Sequence, residues 1–156
     1  MSTLYDGMAK QVMTRYKFLR ARAAAGPIAE ALEHTVPFLP SDTVVTFVPT
    51  ATRRLRQRGY DQAELIAKEF ARARGLRCVR LVTRVSQARQ VGATKKQREH
   101  QLAQAFLVVK PGVCRGRSVV VFDDVVTTGS TLEAIAKVLR SAGAKHVDGA
   151  VFAQKV

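Results

Sequence analysis

The segment Val119-Val120-Val121-Phe122-Asp123-Asp124-Val125-Val126-Thr127-Thr128-Gly129-Ser130-Thr131-Leu132 constrains the fold more than any other part of this chain. Val119 to Phe122 are β-branched or aromatic with no charge among them, the pattern of a central parallel strand covered on both faces. Beyond Thr131, the residues Leu132, Ile135, Ala136, Leu139 and Ala142 recur at helical spacing, and Gly143 stands where a helix would stop. The intervening residues are therefore a strand-to-helix turn at the carboxyl edge of a sheet, and the chain is expected to be α/β.

The chemistry of that turn is specific. Backbone N–H groups near a helix N-terminus, with its partial positive charge, can bind a phosphate; Gly129 permits close approach, and Thr127, Thr128, Ser130 and Thr131 add hydroxyl donors. Asp123 and Asp124 would repel a phosphate, so they are expected to face another part of the ligand. Vicinal ribose hydroxyls suit them, because an ionised carboxylate only accepts hydrogen bonds. Acid pairs at strand ends also occur in receiver-domain pockets, and hydroxyl-rich loops also serve as plain helix caps. A P-loop is excluded, because the turn has no Gly-Lys-Ser/Thr ending.

At 156 residues and 47% hydrophobic content the chain is expected to form one domain, residues 1–156, with a core of its own. Cys78 and Cys114 lack metal-ligand spacing and read as small apolar fillers. His34, His100 and His146 are scattered and read as surface residues. No stretch has signal-peptide or membrane-spanning character, so a cytoplasmic location without membrane insertion is expected. The net charge of +14, with pI near 10.7, marks an attraction to polyanions, either nucleic acid or a small polyanionic substrate. Basic faces are expected at Arg15 to Arg22 and Arg53 to Arg58.

Met8, Val12, Tyr16 and Leu19 predict a first helix, and Pro27 with Ile28, Ala31, Leu32 and Val36 a second, ended by Pro37 and Pro40. Thr43 to Val48 predicts a strand halted by Pro49. Thr50-Ala51-Thr52-Arg53-Arg54 then predicts a turn rich in hydroxyls and guanidinium groups, again at a carboxyl strand end, where open α/β sheets bind ligands. Ala63, Ile66, Ala67 and Phe70 predict a helix that Asp61 can cap and Gly75 closes. Val79 to Thr83 and Phe106 to Val109 predict strands, and Pro111-Gly112 a turn. Between them lies a polar insertion, about residues 84–105, with a capping box at Thr94 and Gln97. A closing strand is predicted near Val147 to Ala153.

The Val119–Leu132 run resembles the phosphoribosyl-pyrophosphate (PRPP) signature of type I phosphoribosyltransferases. That resemblance implies a central, mostly parallel sheet flanked by helices, with a flexible flap. It implies that Asp123 and Asp124 are catalytic and hold the ribose 2- and 3-hydroxyls, while Asp123, Asp124, Val125, Val126, Thr127, Thr128, Gly129, Ser130 and Thr131 together bind ribose and 5-phosphate. It further implies that Thr50, Ala51, Thr52, Arg53 and Arg54 grip the pyrophosphate, that Lys95, Lys96 and Arg98 on the flap reach it, and that Mg²⁺ arrives carried by PRPP. The segment Arg53-Arg54-Leu55-Arg56-Gln57-Arg58-Gly59-Tyr60-Asp61-Gln62 is similar to the Arg-rich, Arg-Gly-Phe-Asn-Gln stretch of the ComF (competence protein F-like) family, with Tyr60 for Phe and Asp61 for Asn. The spacing of Gln90, Arg98 and Phe106 is similar to that family's pattern, with Gln101 where it usually has Asn. The cysteine-rich zinc-binding module common at the N-terminus of the family is expected to be missing. Two functions follow from the resemblance: transfer of phosphoribosyl to a nitrogen acceptor, or a PRPP- or single-stranded-DNA-binding accessory role in DNA uptake. A homodimer is compatible with either. The absence of Trp and the presence of only three Tyr leave few stacking platforms for a single strand.

Overall fold

The computed structural model describes residues 3–4, 24–85, 92 and 94–154. The predicted first helix at Met8 to Leu19, the basic face at Arg15 to Arg22 and Gln90 lie outside these residues.

Five parallel strands form the main sheet in the order β1-β7-β6-β2-β3, where β1 is Thr3–Leu4, β2 Val44–Phe47, β3 Arg77–Cys78, β6 Ser118–Val126 and β7 His146–Gln154. The central pair is in register from Val44 against Val119 to Phe47 against Phe122, and Val48 N–H donates to Phe122 O at 2.9 Å just beyond it. Alternation along the paired, mostly apolar stretches of these strands sends side chains to two cores, as burial on both faces requires. Val45, Phe47, Val120 and Phe122 pack beneath helices α1 (Ala25–Thr35) and α3 (Gln62–Arg74). Val44, Val119 and Val121 pack on the opposite face with Ala134, Ile135 and Leu139 of helix α6 (Ser130–Ser141).

The ends of the elements have local causes. Helix α1 ends at Thr35, two residues before Pro37, and its last carbonyls accept from Arg74 Nη2, at 2.6 Å for Glu33 O and 2.9 Å for Val36 O. Two predictions are corrected here. The predicted strand Val79 to Thr83 is misplaced: the strand paired with β2 is Arg77–Cys78, just before it, and only its end belongs to a strand, β4 (Val82–Arg84), which pairs antiparallel with β5 (Phe106–Val108) in a separate two-stranded sheet. Leu81 and Val82 are both buried on the far side of Arg80, so apolar character alone gives no sign of where the chain leaves one sheet for the other. The predicted turn Thr50 to Arg54 is only half a turn, because Thr52 already begins helix α2 (Thr52–Arg58). Pro49 stops the strand, and the following Arg, Leu and Gln are good helix formers.

The insertion forms a β4–β5 hairpin enclosing helix α4 (Lys95–Ala103), and both α4 and β5 lie against α6. Its capping box is formed as the sequence implies: Gln97 N–H donates to Thr94 Oγ1 at 3.3 Å, and Thr94 N–H to Gln97 Oε1 at 2.8 Å. Short helix α5 (Pro111–Cys114) then leads into β6.

Phe122 is fully buried, and its ring lies 4.7 Å from that of Phe70, centroid to centroid, joining β6 to α3. Phe122→Ala is expected to cost about 3–5 kcal/mol of unfolding free energy with an unchanged denaturant slope. A loss under about 1 kcal/mol in urea titration would mean that this contact does not hold the sheet to the helix.

Candidate functional site

Strand order places a crevice at one point of the sheet. From β2 the chain passes through α2 and α3 to β3 on one side; from β6 it passes through α6 to β7 on the other. The carboxyl ends of β2 and β6 are thus adjacent where the connections diverge, the position at which open α/β sheets take ligands. The Pro49–Arg54 segment and the Asp123–Thr131 segment rise from these two ends.

Asp123 and Asp124 are half-buried and belong to the second half of β6, which runs to Val126 rather than ending at Phe122. Asp123 Oδ1 accepts from Asp124 N–H at 2.8 Å, and Asp124 Oδ1 from Val125 N–H at 2.7 Å. Thr127 to Gly129 connect the strand to α6. Gly129, the residue before the helix, has φ of 79°, a conformation that side-chain-bearing residues seldom adopt. Thr128 Oγ1 lies 2.9 Å from Ser130 Oγ and accepts from Ser130 N–H at 3.4 Å, while Thr127 and Thr128 are exposed. This is an open, hydroxyl-lined helix N-terminus suited to an anion.

On the facing segment Arg53, Arg54 and Arg56 are exposed on α2. The arginine-rich motif that follows is built into the fold. Gly59 reverses the chain after α2 with φ of 78°, and Tyr60 is buried in the core beneath α3, so it is an anchor and not a stacking surface. Asp61 caps α3, accepting from Glu64 N–H at 3.3 Å; its other oxygen accepts from Thr50 N–H at 2.8 Å. The expected cap is present, and the same carboxylate also holds the β2 loop. Gln62, only 2% exposed, donates from Nε2 to Asp124 Oδ2 at 2.6 Å and accepts at Oε1 from Arg58 Nη1 at 2.7 Å. Gln62 closes the arginine-rich stretch in the sequence but carries no assigned role there. Its signal was there: it shares the apolar stripe of Ile66 and Phe70, where a glutamine needs a polar partner.

Of the expected flap cations, Lys96 is exposed on α4, and Lys95 and Arg98 belong to the same helix. His34, His100 and His146 are exposed. Among the described residues no group of three or more His, Cys, Asp or Glu could hold a metal ion. Cys114 is buried; Cys78 is partly buried, and burial pushes its thiol pKa up to about 11, so it is an inert filler near neutral pH. Two concavities of about 440 and 450 Å³ share no residue with the acid pair or the hydroxyl loop.

The model of the phosphoribosyl transferase domain matches residues 56–156. The chain belongs to the phosphoribosyl transferase domain family. Its curated relatives include competence proteins, in keeping with the resemblance carried by its arginine-rich segment. It is 37% identical over 103 residues to competence protein F of Haemophilus influenzae, covering 64% of this chain and 45% of that protein. It is 33% identical over 141 residues to the DNA utilization protein YhgH of Salmonella typhi, covering 84% and 60%, and 26% identical to competence protein ComFC of Bacillus subtilis, covering 89% and 56%. The chain therefore spans about half the length of the curated relatives it matches. The glutamine PRPP amidotransferase from B. subtilis shares the fold at a TM-score of 0.59, 20% identity and coverage of 84% of this chain and 26% of that one. The adenine phosphoribosyltransferase of Thermoanaerobacter pseudethanolicus does so at 0.53, 16% identity, 88% and 83%. The type I phosphoribosyltransferase fold expected from the signature is the fold observed. No helix among the described residues is long and apolar enough to cross a membrane.

Burial raises the pKa of Asp61 against the opposing pull of the Thr50 and Glu64 N–H groups. The folded protein therefore keeps this proton to a higher pH than the unfolded chain, and the associated stability is lost as pH rises from 3.8 through the raised value. Asp61→Asn removes that titration. Urea unfolding between about pH 7 and about pH 4.5 should show native protein gaining stability relative to the variant as the solution is acidified. The opposite trend would mean that the two N–H donors outweigh burial.

Proposed function

We propose that the chain binds PRPP in the divided crevice and transfers its phosphoribosyl group to a nitrogen nucleophile, releasing pyrophosphate. The observation that carries this reading is the adjacency, at one sheet edge, of an acid pair followed by an open hydroxyl-lined helix N-terminus and of a loop leading into exposed arginines. In this reading the N–H groups and hydroxyls of Thr127 to Thr131 hold the 5-phosphate, with Val125 and Val126 leading the backbone into that loop. Asp123 and Asp124 accept from the ribose 2- and 3-hydroxyls.

Displacement at C1 passes through a transition state with oxocarbenium character, so positive charge grows on the ring while negative charge grows on departing pyrophosphate. Asp123 and Asp124 stabilise the first, and the Thr50–Arg54 segment, with Arg53 and Arg54, the second. Lys95, Lys96 and Arg98 are assigned to the flap side of the pyrophosphate. The acid pair and surrounding hydroxyls offer oxygen donors without a dedicated cage, which suits Mg²⁺ held mainly by PRPP oxygens and water. When bound, it neutralises charge on the leaving pyrophosphate. The remote arginines and acids orient the two ends of the ligand, which lowers the entropic part of the barrier.

A second reading, an accessory factor binding single-stranded DNA in DNA uptake, is favoured by the exposed Arg53, Arg54 and Arg56 on one short helix and the net charge of +14. The names of the curated relatives, competence and DNA utilization proteins, are compatible with it.

Calorimetric titration of native protein with PRPP and Mg²⁺ should give saturable binding, and Asp123→Asn/Asp124→Asn should weaken it by about a hundred-fold or more while remaining folded. Unchanged affinity in a folded double variant would remove the assignment. For the second reading, affinity for oligo-dT should fall steeply with salt, and Arg53→Ala/Arg54→Ala/Arg56→Ala should reduce the log–log slope by about two. A flat salt response would eliminate it.

A further inference from the structure

We infer that Gln62, held by Arg58, is a positioning residue that fixes the Asp124 carboxylate for ribose recognition. The inference rests on the PRPP reading of the site and adds to it a residue outside both the acid pair and the loops.

Three observations carry it. Gln62 is buried at the start of α3, where an amide side chain must have its partners supplied by protein. Those partners lie on two other elements, Arg58 at the end of α2 and Asp124 on β6. The amide can point only one way. With Oε1 toward Arg58 Nη1 and Nε2 toward Asp124 Oδ2, both contacts join a donor to an acceptor. Flipped, the amide would set N–H groups against a guanidinium and an oxygen against a carboxylate. The positive charge on Arg58 therefore dictates that Gln62 presents a donor to Asp124.

The consequence for Asp124 is geometric. Val125 N–H holds one carboxylate oxygen at 2.7 Å and Gln62 Nε2 the other at 2.6 Å, so bonds to two separate groups restrain the carboxylate plane. Loss of the Gln62 bond removes one restraint on rotation of the Asp124 carboxylate about χ2, which is soft for aspartate. Neighbouring Asp61 holds Thr50 N–H of the facing loop, so consecutive residues of one helix start tie down the two halves of the crevice. Gln62 touches no ligand in this scheme; it acts through Asp124.

The test is a double-mutant cycle read by Mg²⁺·PRPP calorimetry. Gln62→Met, close in shape but without the donor, should weaken binding by roughly ten-fold. Gln62→Glu should weaken it further, by setting a second carboxylate against Asp124. Arg58→Met should produce a smaller loss in the same direction. In the Asp124→Asn background Gln62→Met should add little, because the group it positions has already been changed. Full affinity in folded Gln62→Met, or losses that add fully, would overturn the inference. Should Gln62→Met fail to fold, the same cycle run with Arg58→Met decides, under the same criteria. A native protein that binds no PRPP refutes the functional reading instead. The positioning contact is then judged in ligand-free protein by NMR: the Gln62 side-chain amide signals should move and exchange faster in Asp124→Ala, and unmoved signals would overturn it.

Discussion

The hydrogen-bonded register between β2 and β6 is the constraint from which the site follows. Because the two strands run parallel and in step from Val44 and Val119 to Phe47 and Phe122, their outgoing loops begin at the same height. Their connections then leave in opposite directions, one toward β3 and one toward β7. A slip of one residue would exchange the two faces of every side chain on the slipped strand, forcing Phe122 or Phe47 into the opposite core, now filled by valines and α6, and offsetting the loops. The apolar packing of Phe122 on Phe70 thus supports the chemistry indirectly, by fixing the height from which Asp123 and Asp124 project.

Electrostatics then divides the crevice. Carboxylates stand on β6, exposed guanidinium groups on the facing helix, and an N-terminal helix field lies beyond Gly129. Such a division suits a ligand with a neutral polyhydroxyl centre between two anionic ends. The start of α3 connects the parts, since Asp61 and Gln62 reach to opposite loops while Tyr60 anchors the turn in the core. The arginine-rich motif is, from Arg58 onward, tied into the internal architecture through Tyr60, Asp61 and Gln62.

The β6–loop–α6 unit was legible because three independent signals coincide: an uncharged β-branched run, a cluster of turn residues and a helical repeat closed by glycine. The cap at Asp61 and the box at Thr94 and Gln97 were legible because capping depends on fixed local offsets. The path through residues 77–84 was not, since short apolar pairs broken by Arg80 look the same whether the chain stays in one sheet or passes between two. Helix α2 was missed because it is a seven-residue helix with no buried residue, so it carries no apolar period. Gln62 was passed over because its role depends on Asp124, 62 residues away in sequence.

The most direct measurement is a crystal structure with PRPP and Mg²⁺ bound. The account predicts the 5-phosphate on the N–H groups between Thr127 and Thr131, ribose hydroxyls at Asp123 and Asp124, and pyrophosphate toward Thr50 to Arg54. Ligand density instead in the concavity beside Lys137 and Arg140, or in the one beside Phe38 and His146, would contradict it.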